Sequence, residues 1–314
     1  MKKITIFFLI LIFILSACTS ISDGGGFKSF FSGRGESVGG RGVILKFIDA
    51  PDEGYAMTER DVFRLGIQIE NNVPGERGLS GEICMRDTLT STYAGIPENE
   101  CLPVELPPAT DIEGRITPSI DLFQFGPYQY QNLEKAYFQP ATIFADFKYE
   151  IEALSFSSVC LKRLGAESPD IPQNCGKKQD LKVQQTDLPV KISRLTTRAS
   201  LSETSSILSI EVLLSKTRNG QLVSSGDILG QQAAAGSALV DFEVLVNRQP
   251  AQCTLAGSRR IEFRQNENEK LVRCTITLPV EGEHFDAPIR IKMGYGFIQT
   301  VRGPTISLRK EELS

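Results

Sequence analysis

Between Ile143 and Ala153 the chain alternates apolar and polar residues almost without a break. Ile143, Ala145, Phe147, Tyr149, Ile151 and Ala153 take one parity, and Thr142, Asp146, Lys148, Glu150 and Glu152 take the other. A period of two lays one parity on each face of an extended strand, whereas a helix would scatter both sets around its axis. A strand so divided needs an apolar layer on one side and water on the other, which points to stacked antiparallel sheets. Shorter runs repeat the pattern. Phe63, Leu65, Ile67 and Ile69 alternate with Arg64, Gly66, Gln68 and Glu70, and Leu79, Gly81, Ile83 and Met85 continue on an expected partner strand. A second series follows in Leu208–Leu214, Val240–Val246, Val272–Leu278 and Ile289–Tyr295. Asn71–Gly75 and Asn219-Gly220 read as turns, the latter of hairpin type. The best helical candidate is Gln131–Phe138, about two turns long. The pattern predicts an all-β fold of two antiparallel β-sandwich domains in tandem. The polar, turn-rich stretch Ala166–Thr186 separates them, so the first spans 43–188 and the second 189–314 with a short C-terminal tail.

The N-terminus obeys a different rule. Lys2 and Lys3 precede an unbroken apolar run from Ile4 to Leu15, closed by Leu15-Ser16-Ala17-Cys18. A charged start, a short apolar core and small residues before a cut make an export signal. Leu-Ser-Ala-Cys resembles the lipobox of prokaryotic lipoproteins. That resemblance implies a signal peptide over 1–17, cleavage before Cys18 and lipid on its thiol. An uncleaved signal anchor is the competing reading, but about a dozen apolar residues fall short of the ~20 that a spanning helix needs. Residues 18–42 read as a Gly-rich tether. Phe27, Phe30 and Phe31 within it could touch a lipid interface or dock on the first domain. In an envelope of two membranes, Thr19 lacks the aspartate associated with inner-membrane retention, so the resemblance favours the outer membrane. A bacterial and an archaeal envelope both stay open.

Cys18 also sets the cysteine arithmetic. Of seven cysteines, the lipid takes one, and Cys84, Cys101, Cys160, Cys175, Cys253 and Cys274 remain. An even set in an exported chain points to disulfides. Six cysteines allow fifteen pairings, but these fall into three local couples, so the expected bridges are Cys84–Cys101, Cys160–Cys175 and Cys253–Cys274. Zinc is the alternative. It lacks any CxxC couple, and His284 is the one histidine in the chain.

The formal net charge is −4, two units more negative without Lys2 and Lys3. A mildly acidic exported chain is poorly suited to nucleic acid or to anionic lipid surfaces. Each half opens with an alternating strand, a polar turn and another strand, and the second closes through Pro279–Tyr295, an acidic loop leading into late strands. This resembles the immunoglobulin-like modules of prokaryotic, archaeal-type surface lipoproteins, including the adhesion-related type called CARDB. The resemblance implies immunoglobulin-like sandwiches at a surface and carries over no catalytic residue. The chain departs from the antibody-like pattern, having no tryptophan and only local cysteine couples.

Candidate chemistry is sparse. No GxSxG, SxxK or HExxH pattern accompanies His284, so no catalytic residue is assigned and no cofactor is expected. Glu281, Glu283, His284 and Asp286 form the densest set of cation ligands, with a solvated turn as the simpler reading. Gly33 and Gly35 resemble half a phosphate loop, without the strand and helix that such a loop needs. Phe123, Phe125, Tyr128, Tyr130, Tyr137 and Phe138 crowd into sixteen residues, counting 123–138. Phe123 and Phe125 lie at strand spacing and suit a core. Tyr128, Tyr130 and Tyr137 are the candidate partner-binding face, since tyrosine brings rigid contact area at low entropic cost. The loop Ser224–Ala238 is either mobile or part of a binding face.

The sequence therefore predicts a non-catalytic, lipid-anchored protein that faces outward from a cell membrane, in a periplasmic or extracellular space. It would bind a protein partner at that surface or contribute to envelope assembly. The alternative is an accessory or solute-binding subunit of an export or uptake complex. A hydrolase-type enzyme is the third class, and it would need carboxylates that no motif pairs.

Overall fold

The structure, a computed structural model, describes residues 42–310 apart from 90–92, 99, 113–114, 134–138, 218–219, 225–236, 255–258, 265 and 281. The strands of seven residues or more, numbered in chain order, are β1 (Val43–Asp49), β2 (Val62–Asn71), β3 (Leu79–Asp87), β4 (Glu100–Leu106), β5 (Ser119–Gln129) and β6 (Gln139–Lys162). They continue as β7 (Val190–Leu201), β8 (Ser205–Lys216), β9 (Ser237–Val246), β10 (Glu269–Pro279) and β11 (His284–Leu308). The fold is all-β and almost entirely antiparallel; among the described residues the parallel pairings are Ala56–Met57 with the end of β11 and the single bridge Pro74↔Ala109. Among the described residues no helix is long and apolar enough to cross a membrane. Gln131–Phe138, expected as a short helix, is described only over 131–133, where Leu133 lies in a 3₁₀ turn.

The alternating run that dominates the sequence is the middle of β6, a strand of 24 residues. Its odd positions from Ala141 to Ala153 are buried in unbroken succession, and the intervening side chains are not. β11, with 25 residues, does the same from Ala287 to Val301. The two strands pair from His284↔Lys162 to Leu308↔Gln139. The register shifts between Arg302 and Thr305, around Gly303-Pro304. Beyond it the buried parity becomes even, at Ile306 and Leu308. One extra residue in a strand moves the following side chains to the other face, so this bulge keeps the apolar set inside.

The ladder is the centre of a sheet shared by both halves of the chain. At one end β3 pairs with β6 over residues 143–150 and carries β4 on its far side. At the other end β9 pairs with β11 over residues 289–294. Two smaller sheets cover the apolar face. The first is β1-β2-β5; the second runs from Gln179–Leu181 through β7, β8 and β10 to Gln252–Cys253. Phe47 of β1 abuts Gly303 so closely that a Cβ there would lie 2.8 Å from its ring. At the second sheet, the backbone N–H of Val190 in β7 donates to the Tyr295 hydroxyl of β11 at 3.2 Å. Leu45, Ile67, Phe147, Tyr149, Val212 and Phe297 belong to one continuous apolar core.

Three expectations change here. The boundary at 188/189 does not separate two bodies: β11 supplies a central strand to the N-terminal end, and β6 supplies one to the C-terminal end. The described residues accordingly fall in a single compact unit. The period of two cannot reveal this, because alternation marks a strand's faces and not its partners. For the same reason Leu79–Met85 does not pair with the Phe63–Ile69 strand but crosses to the shared sheet. Gln221–Val223, placed after the expected Asn219-Gly220 hairpin, pairs with β11 rather than with β8.

The three expected cysteine couples are joined, with sulfur–sulfur distances of 2.02, 2.05 and 1.99 Å. Cys84–Cys101 and Cys253–Cys274 link residues directly opposite each other on neighbouring strands. Cys160–Cys175 ties the end of β6 to the following loop. Loops of this length would each contribute roughly 3 kcal/mol by chain entropy. Three such bonds suit a non-reducing, extracytoplasmic compartment.

Candidate functional site

The residues singled out by sequence do not converge on one site. Tyr128 and Tyr130 are buried at 4% and 1% exposure, so they present no face to a partner. The cause is a register shift: Leu65 pairs with Phe125 but Phe63 pairs with Tyr128, leaving Gly126-Pro127 as the extra step in β5. Inward parity switches from odd to even across it, and both tyrosines turn into the core beside Phe63, at ring separations of 5.4 and 5.6 Å. The Tyr130 hydroxyl donates to Asp87 Oδ2 at 2.8 Å. Burial raises the Asp87 carboxyl above its ordinary range, against the lowering effect of that bond and two backbone donors. Tyr137 and Glu281 lie outside the described residues, as do Cys18, the signal peptide, the tether up to residue 41 and most of the Ser224–Ala238 loop.

His284 opens β11 opposite Lys162, Asp286 stands exposed opposite Cys160, and the Glu283 carbonyl accepts the Arg163 backbone N–H at 2.9 Å. Among the described residues, the one trio of ligand-type side chains with donor atoms within 4.8 Å of one another is Glu82, Cys84 and Cys101. Its two sulfurs are bonded to each other and offer no thiolate.

A different constellation lies on the solvent-facing side of the shared sheet. β3 flanks β6 only as far as the pair Ser80↔Glu150, and β9 flanks β11 only as far as Asp241↔Gly294. Past these limits Ile151–Leu154 of β6 have no described strand beside them on the β3 side, while on β11 only Tyr295 separates the β9 pairing from that of Gln221–Val223, and a groove of about 720 Å³ forms there. The start of β3, the end of β4, the middle of β6 and β11 and Asp241 of β9 line it. Glu152 is at its centre with only 11% of its side chain exposed. Opposite Glu152 in the ladder stands Gly294, which has no side chain to meet it. Its carboxylate instead accepts Lys292 Nζ, two residues along β11, at 2.6 Å, and lies 3.9 Å from Arg77 Nε. The other oxygen, Oε1, is buried without a hydrogen-bond partner among the described residues. At the rim Arg290 donates to Glu76 at 2.9 Å. That hydrogen bond, and then the guanidinium charge, hold the Glu76 carboxyl below the usual carboxylate range.

Four carboxylates (Glu105, Glu150, Glu152 and Asp241) face two cations (Arg77 and Lys292) across this lining. Asp241 is itself held by Arg260 at 2.9 Å. The acidic excess and the unpartnered oxygen suit an incoming N–H donor such as an amine, a guanidinium or a backbone amide. Sequence reasoning marked Glu150 and Glu152 only as the polar parity of a strand. Lys292, 140 positions away, becomes their neighbour through the ladder alone. Comparison with known protein families gives no match, and no characterised protein matches the chain.

Proposed function

We propose that the protein is a non-catalytic, lipid-anchored component of a prokaryotic envelope, facing outward and binding a protein partner through the groove across the shared ladder. Cysteine arithmetic supports the placement: six of the seven cysteines bond among themselves, and Cys18 is not one of them. The groove supports the binding role, because it gathers charged side chains from both halves of the chain.

Two measurements test this. Palmitate labelling and membrane fractionation of wild type and Cys18→Ala should show label and membrane retention only in the wild type; an unlabelled wild type would sink the anchor. Crosslinked membranes should yield envelope proteins with wild type and lose them with Glu105→Lys, which reverses one exposed charge in the groove. Recovery unchanged by that substitution would remove the groove from the contact. The alternative, an accessory or solute-binding subunit, draws support from the groove's volume, which lies within the ~300–1,000 Å³ of small-molecule sites. It predicts recovery of one transport or secretion complex instead.

A further inference from the structure

We infer that the protein binds a small carboxylic acid, as its anion, in a cavity between the two covering sheets, with the Gln299 amide donating to the carboxylate. The cavity, of about 240 Å³, lies on the apolar face of the ladder, opposite the groove. Two separate sheets cover that face, and the cavity forms where they meet. Val43, the first residue of β1, borders it from one cover; Leu188 and Pro189, which lead into β7, border it from the other. Beside it the Gly42 N–H donates to the Asp187 carbonyl at 3.0 Å, joining the two covers by their backbones. At the ~30 Å³ that a water takes up in the liquid, the space suits a ligand of roughly eight or nine non-hydrogen atoms.

Gln299 is only 2% exposed, on the inward parity of β11, and its Nε2 has no hydrogen-bond partner among the described residues. Its neighbours on that face are Phe297 and Val301, and Phe147 stands opposite it in the ladder. A buried amide donor without an acceptor lowers stability, whereas a leucine would fill similar space without that cost. The polar side chain gains a use only when an acceptor reaches it, and the cavity it borders is where one can enter.

The rest of the lining selects the acceptor. Tyr149 and Phe297 form an aromatic floor, their ring centres 5.9 Å apart, which suits an apolar body. Burial raises the Tyr149 phenol well above its ordinary range, so the floor is neutral. The charged lining residues are Asp187, Lys191 and Lys216, two cations against one anion. Asp187 and Lys191 pair with each other at 3.2 Å, each about half exposed. Lys216 stands opposite Val190 and shares its inward parity at the end of β8, so the excess positive charge is on the cavity side. A neutral carbonyl would satisfy the amide alone; a carboxylate also meets that charge.

The test titrates the full chain, held in detergent, with sodium benzoate by isothermal calorimetry. Benzoate joins a carboxylate to an aromatic body of fitting size, acetate lacks the body, and benzylamine reverses the charge. Benzoate should bind, acetate more weakly and benzylamine not at all. Gln299→Leu should weaken benzoate at least about tenfold, the effect of losing a hydrogen bond to a charged group. The same variant should keep or raise the urea midpoint; a fall would show that the fold already uses the amide and would overturn the proposal. Lys216→Gln should weaken benzoate about two- to fivefold, the worth of one partly exposed charge pair. Glu105→Lys, in the groove on the other face, should leave benzoate binding unchanged, and its loss there would move the acid out of this cavity and refute the assignment. No heat with benzoate, equal binding of benzylamine, or binding undiminished in Gln299→Leu would each overturn it, the first by leaving the amide to water alone.

Discussion

If β6 and β11 weld the two halves together, damage at either end must be felt by the whole chain. Leu45 in β1 and Leu208 in β8 are both fully buried, one under each covering sheet. Leu→Ala at such a position costs about 3 kcal/mol, between the transfer term and the cavity left behind. Unfolding entropy is ~2.1 cal/mol/K per residue, so roughly 270 residues melting together give about 0.57 kcal/mol/K and a fall in Tm of about 5 °C for either variant. Were the halves separate, the same loss would fall on half the residues. The affected half would then drop by about 10 °C while the other stayed in place. Differential scanning calorimetry with the disulfides intact distinguishes these outcomes. The expected result is one endotherm for wild type and both variants, with equal calorimetric and van't Hoff enthalpies. Two endotherms, with Leu45→Ala moving one and Leu208→Ala the other, would refute the weld.

Other perturbations probe the ladder and its surroundings. A Cβ added at Gly81 would lie 2.0 Å from the Lys148 carbonyl oxygen and 2.8 Å from the Tyr149 Cα, so Gly81→Ala must part β3 from β6. It should destabilise by about 3 kcal/mol, the upper end of overpacking penalties, in a urea titration. Lys292→Ala leaves the Glu152 carboxylate largely buried with only distant Arg77 nearby, and should cost about 1–3 kcal/mol in the same assay. Burial raises the phenols of Tyr128, Tyr130, Tyr149 and Tyr295. The folded state therefore keeps protons that the unfolded chain releases near pH ~10, and stability falls as pH rises past that value. Phenolate absorbance of these four should appear together with loss of secondary structure; smooth titration in an intact fold would contradict their burial.

The alternation in Ile143–Ala153 made the strands legible because each has one wet and one dry face, a property of the strand itself. The local cysteine couples were legible for a similar reason: two of them bridge strands directly opposite each other, a short distance apart in sequence. Pairing is different, since nothing in Phe147 or Tyr149 announces that Gln299 and Phe297 lie opposite, some 150 positions later. The tandem-domain expectation failed on that point while the strands themselves held. Tyr128 and Tyr130 failed through a single step. Counting parity from Phe123 and Phe125 leaves them outside, and the extra residue at Gly126-Pro127 brings them in. A bulge has a sequence signal in that Gly-Pro pair, but its consequence depends on what β2 places opposite.

The groove follows from the same long-range pairing. It is open because β3 stops at Glu150 and leaves Ile151–Leu154 of β6 without a described strand on that side; on β11 the gap after Gly294 is the single residue Tyr295. Two more residues of pairing by β3 would close part of it. Gly294 opposite Glu152 then decides the electrostatics: without a side chain across from it, the carboxylate reaches diagonally to Lys292, and one oxygen remains free. An occupant that spans it from Glu105 to Lys292 touches both halves of the chain. Binding free energy cannot then be confined to one end. At a hundredfold excess over Kd it would add ~2.7 kcal/mol to a single unfolding equilibrium, raising the same transition that Leu45→Ala and Leu208→Ala lower.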